Sequence, residues 1–168
     1  MYHSCMKKIL FQCSGVLLGV HLIIFWLLNY SPLEIPQYFT LFEDKKINLH
    51  GLIILLAVGL ILRFFLQRHF RENPESSLAE LTSIGVLAEL CAEAIFQLVR
   101  QFTFSDSSGM AHVVAYFISV MGGSFIAGIL SVAIAGRLKK KRGVPYVTTL
   151  LLVVLYFIYQ YMVSSRLL

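Results

Sequence analysis

Two glutamates stand one helical turn apart in the middle of an apolar run, Glu89 and Glu93 within Leu78–Val99. On a helix of 3.6 residues per turn, Thr82, Glu89, Glu93, Gln97 and Arg100 fall within about 80° of one another and form one polar stripe. Glu93 lies about 6 Å beyond Glu89 along the axis. Two carboxylates this close repel when both are ionised, so the pair is suited to holding a proton or a cation. A charge at the centre of a bilayer costs at least ~2.5 kcal/mol on insertion scales, so the stripe must face a bundle interior, a water-filled cavity or another subunit. His21, in the outer half of an earlier apolar run, reaches a depth between the two glutamates and can pair with one of them. Arg100 follows Glu93 by seven residues and can reach it through Gln97 or water. Three uses remain open for Glu89, Glu93, Gln97, Arg100 and His21: a proton or cation path, a polar substrate pocket, or a structural network that locks helices or binds another membrane subunit.

The elements that must position these groups are five apolar segments, Ile9–Leu28, Ile47–Leu66, Leu78–Val99, Ala111–Gly136 and Tyr146–Val163. Each has roughly the 17–25 residues that a helix needs to cross ~30 Å of hydrocarbon. The pattern predicts an all-α, polytopic integral membrane bundle of five transmembrane helices, one domain over residues 1–168. Composition agrees: the chain is 58% hydrophobic and 14% charged, against about 25% charged in soluble domains. Of the 14 Lys and Arg residues, ten (Lys7, Lys8, Arg63, Arg68, Arg71, Arg137, Lys139, Lys140, Lys141 and Arg142) fall on one side of the five-span arrangement and four (Lys45, Lys46, Arg100 and Arg166) on the other. The basic side stays cytoplasmic, which puts the N-terminus inside and the C-terminus outside, in the cell (plasma or inner) membrane. A competing placement lays the third segment flat on the cytoplasmic surface because it is amphipathic. That would carry Arg137–Arg142 to the outside, against the charge rule.

Net charge +5 and a pI near 9.2 do not point to nucleic acid here. The basic residues border the spans, where they hold topology and meet anionic headgroups. The first segment, preceded by Lys7 and Lys8, is too long for a signal-peptide core and lacks a small-x-small cleavage site after it, so an uncleaved anchor is expected. Trp26, Tyr30 and Tyr146 sit where amphipathic rings mark the interfaces. The stretch Ser31–Phe42 carries Pro32 and Pro36 among apolar residues, which predicts a loop lying on the bilayer or capping the bundle. Ser77 and Glu80 have capping-box spacing after Asn73-Pro74 and predict a clean helix start.

The fourth segment carries a packing signal. Ala111, Ala115, Ser119, Gly123, Ala127, Ser131 and Ala135 place a small residue at every fourth position, with Ser124-x-x-x-Gly128 beside them, although 12 of the 26 residues here are Ala, Gly or Ser. Such a row lets backbones approach closely at the small-xxx-small crossing. Ser119, Gly123, Ala127 and Ser131 are its central members, facing either a neighbouring span or a second copy of the chain.

Other chemistry is thinner. Cys5, Cys13 and Cys91 form no C-x-x-C and read as small apolar fillers, with Cys5 a site of acylation only in a suitable host. His50 and His112, with Glu43, Asp44 and Asp106, suggest an external metal site only loosely, because no fixed ligand spacing such as H-x-x-x-H is present. The order Glu93, Gln97, Arg100, followed by Gly122-Gly123, resembles in part the VanZ-like membrane proteins. The Asp…Asn pair before the glycines is missing, so no family is assigned on that ground. No catalytic motif, haem-ligand pair or phosphate loop is present, and no cofactor or metal is expected. The expectation is a non-enzymatic membrane protein, a subunit or scaffold whose partners are the lipid bilayer and another membrane protein or a homo-oligomer. A small transporter or channel using Glu89 and Glu93 is the alternative, and a membrane enzyme using either as acid or base would need a substrate-accessible cavity.

The charge partition makes topology directly testable. In a Cys-free variant, single cysteines at Ser107 and Lys140 are expected to react with an impermeant thiol reagent from the outside and the inside respectively. Labelling of both from one side removes the five-span arrangement.

Overall fold

The computed structural model describes the backbone of residues 2–30, 38–42, 45–104, 110–141 and 143–164, and side chains of residues 6–27, 53–100, 117–141 and 143–155. Five helices follow the apolar segments: α1 (Tyr2–Tyr30), α2 (Leu49–Glu72), α3 (Leu78–Phe104), α4 (Met110–Leu138) and α5 (Gly143–Ser164). Among the described residues, four stretches are long and apolar enough to cross a bilayer: Met6–Leu27, Ile53–Glu72, Leu78–Arg100 and Phe117–Leu138. The part of α5 whose side chains are described, Gly143–Leu155, is apolar and shorter.

The fold is helical, as the apolar segments predict, with one short addition between α1 and α2. Tyr38–Phe42 (β1) and Lys45–Asn48 (β2) pair as an antiparallel hairpin, Tyr38 opposite Asn48 and Phe39 opposite Ile47, with a register shift between Thr40 and Phe42. The physical reason lies in the residues: Tyr38-Phe39-Thr40-Leu41-Phe42 is rich in the aromatic and β-branched types that favour a strand. The same pairing takes Ile47 and Asn48 out of the second helix, which starts at Leu49. Residues 31–37, where Pro32 and Pro36 fall, lie outside the described residues.

α3 is the most enclosed of the four candidate spans and packs between α1 and α4 rather than lying apart from them. Its inner side contributes Leu81, Ile84, Ala88 and Ala92 to a core completed by Ile9, Cys13 and Leu17 of α1, Val58, Leu62, Phe65 and Leu66 of α2, and Ala127 and Ala135 of α4. The α3 and α4 contributions are largely alanine. In lipid, apolar side chains gain little by leaving one apolar surrounding for another, so close backbone approach and van der Waals contact must hold helices together. The closest approach is at Gly85, where an added Cβ would overlap the Ser131 hydroxyl and lie 2.8 Å from Ser131 Cβ. Gly128 meets Val86 in the same interface, where an added Cβ would stand 3.1 Å from Val86 Cγ2, closer than ordinary van der Waals contact.

Both turns at the basic end of the bundle are built by local hydrogen bonds. At the α2–α3 turn the Glu80 N–H donates to Ser77 Oγ at 3.0 Å, as capping geometry requires. The Glu80 carboxylate turns instead to His69 Nε2, 3.0 Å away and fully buried near the end of α2, with Ser76 Oγ 3.3 Å from the same nitrogen. After α4, the Lys141 N–H donates to the Gly136 carbonyl and the Lys140 N–H to the Arg137 carbonyl, a Schellman closure. It puts Lys140 at φ 55°, the left-handed region that glycine usually fills.

The Gly85–Ser131 contact predicts the effect of crowding. Gly85→Leu should destabilise the protein by about 1–3 kcal/mol through overpacking, whereas Gly122→Leu, whose Cβ meets nothing within 4 Å, should change little. Thermal unfolding in mild detergent distinguishes them, and equal midpoints would rule out a tight α3–α4 contact.

Candidate functional site

α1 delivers His21 to the bundle interior as the last of a row at every fourth position, Ile9, Cys13, Leu17 and His21, each nearly or fully buried. Facing it on α3 are Glu89, 3% exposed, and Glu93, 8% exposed. The imidazole lies between the two carboxylates. His21 Nε2 is 3.1 Å from Glu89 Oε1 and Nδ1 is 3.7 Å from Glu93 Oε2. One turn further, Gln97 Nε2 donates to Glu93 Oε1 at 2.7 Å. α4 closes the third side with a glycine: a Cβ on Gly123 would stand 3.6 Å from Glu93 Cγ and 3.7 Å from Glu89 Oε1.

Aromatic rings cover the cluster toward the Arg100 end. His21 stacks on Phe96 with centroids 5.5 Å apart, and Phe96 meets Phe25 edge-on at 5.7 Å. Arg100 lies over the Phe25 ring, 6.0 Å from its centroid, within cation–π range. Among the described residues it forms no ion pair with either glutamate.

The stripe read from the sequence is therefore divided. His21, Glu89, Glu93 and Gln97 come together, while Arg100 is held on an aromatic face. Thr82 stays out of the cluster, its hydroxyl donating to the Leu78 carbonyl at 2.8 Å. The small-residue row supplies the back wall and the helix contact. Gly123 borders the glutamates, Ala127 and Ser131 are fully buried, Ser131 sits on Gly85, and Ser119 is half-buried. His50, His112, Glu43, Asp44 and Asp106 fall among residues whose side chains lie outside the described set, as do Ala111 and Ala115.

Sequence reading missed the aromatic cover and the His69–Ser76–Glu80 cluster. His69 and Glu80 are 11 residues apart. The Asn73-Pro74 turn, which joins the end of α2 to the start of α3, was the signal that could have paired them.

Charge counting limits what the triad can do. With a neutral imidazole and two ionised carboxylates it carries two negative charges, and it becomes neutral on taking up two protons or one divalent cation. Neutrality is the inexpensive state in a low-dielectric interior. The carboxylate oxygens and imidazole nitrogens of His21, Glu89 and Glu93 include one ligand atom each lying within 4.8 Å of one another. A tetrahedral ion about 2.1 Å from each ligand holds them about 3.4 Å apart, so this set would have to draw together to hold one. Glu89 Oε2 is buried without a hydrogen-bond partner among the described residues, which leaves one acceptor to receive a proton or a cation. Two protons make the site a polar clamp between α1 and α3, and exchange of those protons or of a cation would make it part of a path.

The chain matches no family model, no curated protein and no solved structure. Its reading rests on the geometry above.

The clamp has an energetic signature. His21→Leu leaves Glu89 buried without its partner and should cost about 1–3 kcal/mol, as should Glu89→Leu. The double variant should cost less than the sum, because replacing both partners by apolar groups leaves neither unpaired. Detergent unfolding of the four proteins measures the coupling, and strict additivity would exclude a His21–Glu89 bond.

Proposed function

We propose that this chain is a small, non-enzymatic integral membrane protein of five spans, a subunit or scaffold of a membrane assembly, set in the plasma or inner membrane with its N-terminus cytoplasmic and its C-terminus outside. The observation that carries the reading is the destination of the polar stripe. Glu89 and Glu93 are buried against His21, Gln97 and Gly123 of the same chain, so the costliest groups in the bilayer serve to hold α1 on α3. Charge distribution supports the orientation, and the 22 residues of α5 give it the length to be the fifth span.

α1 offers a place for a partner. Gly15 and Gly19 form a G-x-x-x-G pair, and a Cβ on either would meet nothing within 4 Å among the described residues. At 100° per residue they lie about 160° from Leu17, the residue that faces the core. A second transmembrane helix can approach that flat face closely.

A second reading is favoured by Glu89 Oε2, which has no hydrogen-bond partner among the described residues, and by the triad's capacity for two protons or one divalent ion: a small transporter or channel in which His21, Glu89 and Glu93 hand on a proton or a cation.

One set of experiments separates them. Native mass spectrometry from mild detergent should find a discrete oligomer or a co-purifying subunit, and Gly15→Leu or Gly19→Leu should shift it to monomer without lowering thermal stability. A monomeric wild-type protein would end the assembly reading. In liposomes, Glu89→Gln and Glu93→Gln keep shape and hydrogen bonding but remove titration. Wild-type proton or cation flux that falls sharply in these variants establishes the second reading, and absent or unchanged flux dismisses it.

A further inference from the structure

At the opposite end of the bundle from the hairpin, α2, α4 and the start of α5 surround a cavity of about 1080 Å³. Four cations line it from two pieces of chain: Arg63 of α2, and Arg137, Lys140 and Lys141 at the end of α4 and its following turn. Among the described residues its lining holds no carboxylate. Among the described residues these cations form no ion pair with a carboxylate, in contrast to Arg68, which bonds Glu72 at 3.1 Å beside them. Four like charges around one partly enclosed space repel one another, and an anion placed among them relieves that repulsion.

The rest of the lining is amphiphilic in a fixed order. Tyr146, 78% exposed at the start of α5, offers a phenol at the level of the lysines. Deeper down, Ile134 of α4 and Leu150 and Val153 of α5 form an apolar wall. Val153 lies ten residues into α5, about 15 Å along the axis, which is about half the thickness of the hydrocarbon. A cavity whose cationic mouth stands at the interface and whose apolar wall descends to mid-bilayer has the dimensions of one leaflet's lipid.

We propose that this cavity is a binding site for an anionic phospholipid, its phosphate among Arg63, Arg137, Lys140 and Lys141 and an acyl chain along Ile134, Leu150 and Val153. The arginines suit phosphate because their planar forks bond two oxygens at once. The α4–α5 turn is the device that aims the lysines: the left-handed Lys140 ends α4 abruptly and turns Lys141 back over the Gly136 carbonyl, at the cavity mouth. The site is independent of the His21–Glu89–Glu93 cluster and of any partner on α1.

Native mass spectrometry of the full chain, titrated in mild detergent with dioleoyl phosphatidylglycerol, dioleoyl phosphatidylcholine or inorganic phosphate, tests it. Phosphatidylglycerol should be retained as a single adduct and phosphatidylcholine should not. Arg137→Gln and Lys141→Gln should each weaken retention about fivefold, from about 1 kcal/mol for each cation near an anionic surface. Lys140→Gly should weaken it similarly while keeping the turn, since glycine accepts φ 55° more readily than lysine. Lys7→Gln with Lys8→Gln removes two exposed charges outside the cavity and should leave retention unchanged. Equal retention of the two lipids, or equal loss on removing Lys7 and Lys8, would overturn the site in favour of diffuse surface charge. Complete displacement by inorganic phosphate would overturn the lipid assignment in favour of a free anion.

Discussion

A carboxylate at bilayer depth must be answered from within the protein, and the arrangement of this bundle follows from answering two. Glu89 and Glu93 sit on the same side of α3, and that side therefore cannot face lipid. α1 is held against it because α1 carries His21, the side chain that reaches both glutamates. The cluster then needs cover on its remaining sides, and it receives Gln97 from its own helix, the Phe96–Phe25 pair toward Arg100, and the bare backbone of Gly123 from α4. A larger residue at 123 would push α4 off the carboxylates.

The apolar part of the fold obeys a different rule from that of a soluble core. Lipid tails are as apolar as leucine, so burying large side chains between helices adds little, and shape decides which faces meet. α3 and α4 meet through Gly85, Ala88, Ala92, Ala127, Ser131 and Ala135, residues short enough for two backbones to approach. Large exposed side chains such as Phe117, Met121 and Phe125 occupy the other face of α4, where lipid is the natural neighbour. Two hydroxyls in the spans are satisfied locally, Ser124 Oγ donating to the Val120 carbonyl and Ser14 Oγ to the Leu10 carbonyl, each at the fourth residue back, whereas Ser131 Oγ at the Gly85 contact is buried with no hydrogen-bond partner among the described residues.

The two clusters of charge divide the labour. Inside the bundle, carboxylates meet histidines of the same chain, as His21 does between Glu89 and Glu93 and His69 does beside Glu80. Around the basic cavity, Arg63, Arg137, Lys140 and Lys141 form no ion pair among the described residues and surround space instead of carboxylates. The first pattern holds helices together. The second leaves a potential for something anionic, with Lys140 held in the left-handed conformation that glycine adopts more easily.

Length, hydropathy and spacing were enough to establish the helices, the polar stripe and the small-residue row, because a helix through a bilayer is dictated locally: every backbone group must bond within its own segment. Periodicity also placed Glu89, Glu93 and Gln97 on one side of α3, and depth put His21 level with them. It could not say that His21 would stand between the two carboxylates, since residues 68 apart share no local pattern, nor that Arg100 would prefer the Phe25 ring. The direction in which the row of Ser119, Gly123, Ala127 and Ser131 points was undecided for the same reason: a small face is equally suited to any close neighbour, and only the complementary Gly85 of α3 makes it an internal contact. The hairpin at Tyr38–Phe42 and Lys45–Asn48 escaped because prolines and apolar residues outside a span say little about strand pairing. The basic cavity escaped because three helices contribute to it, and three-body proximity exists only once the helices are packed.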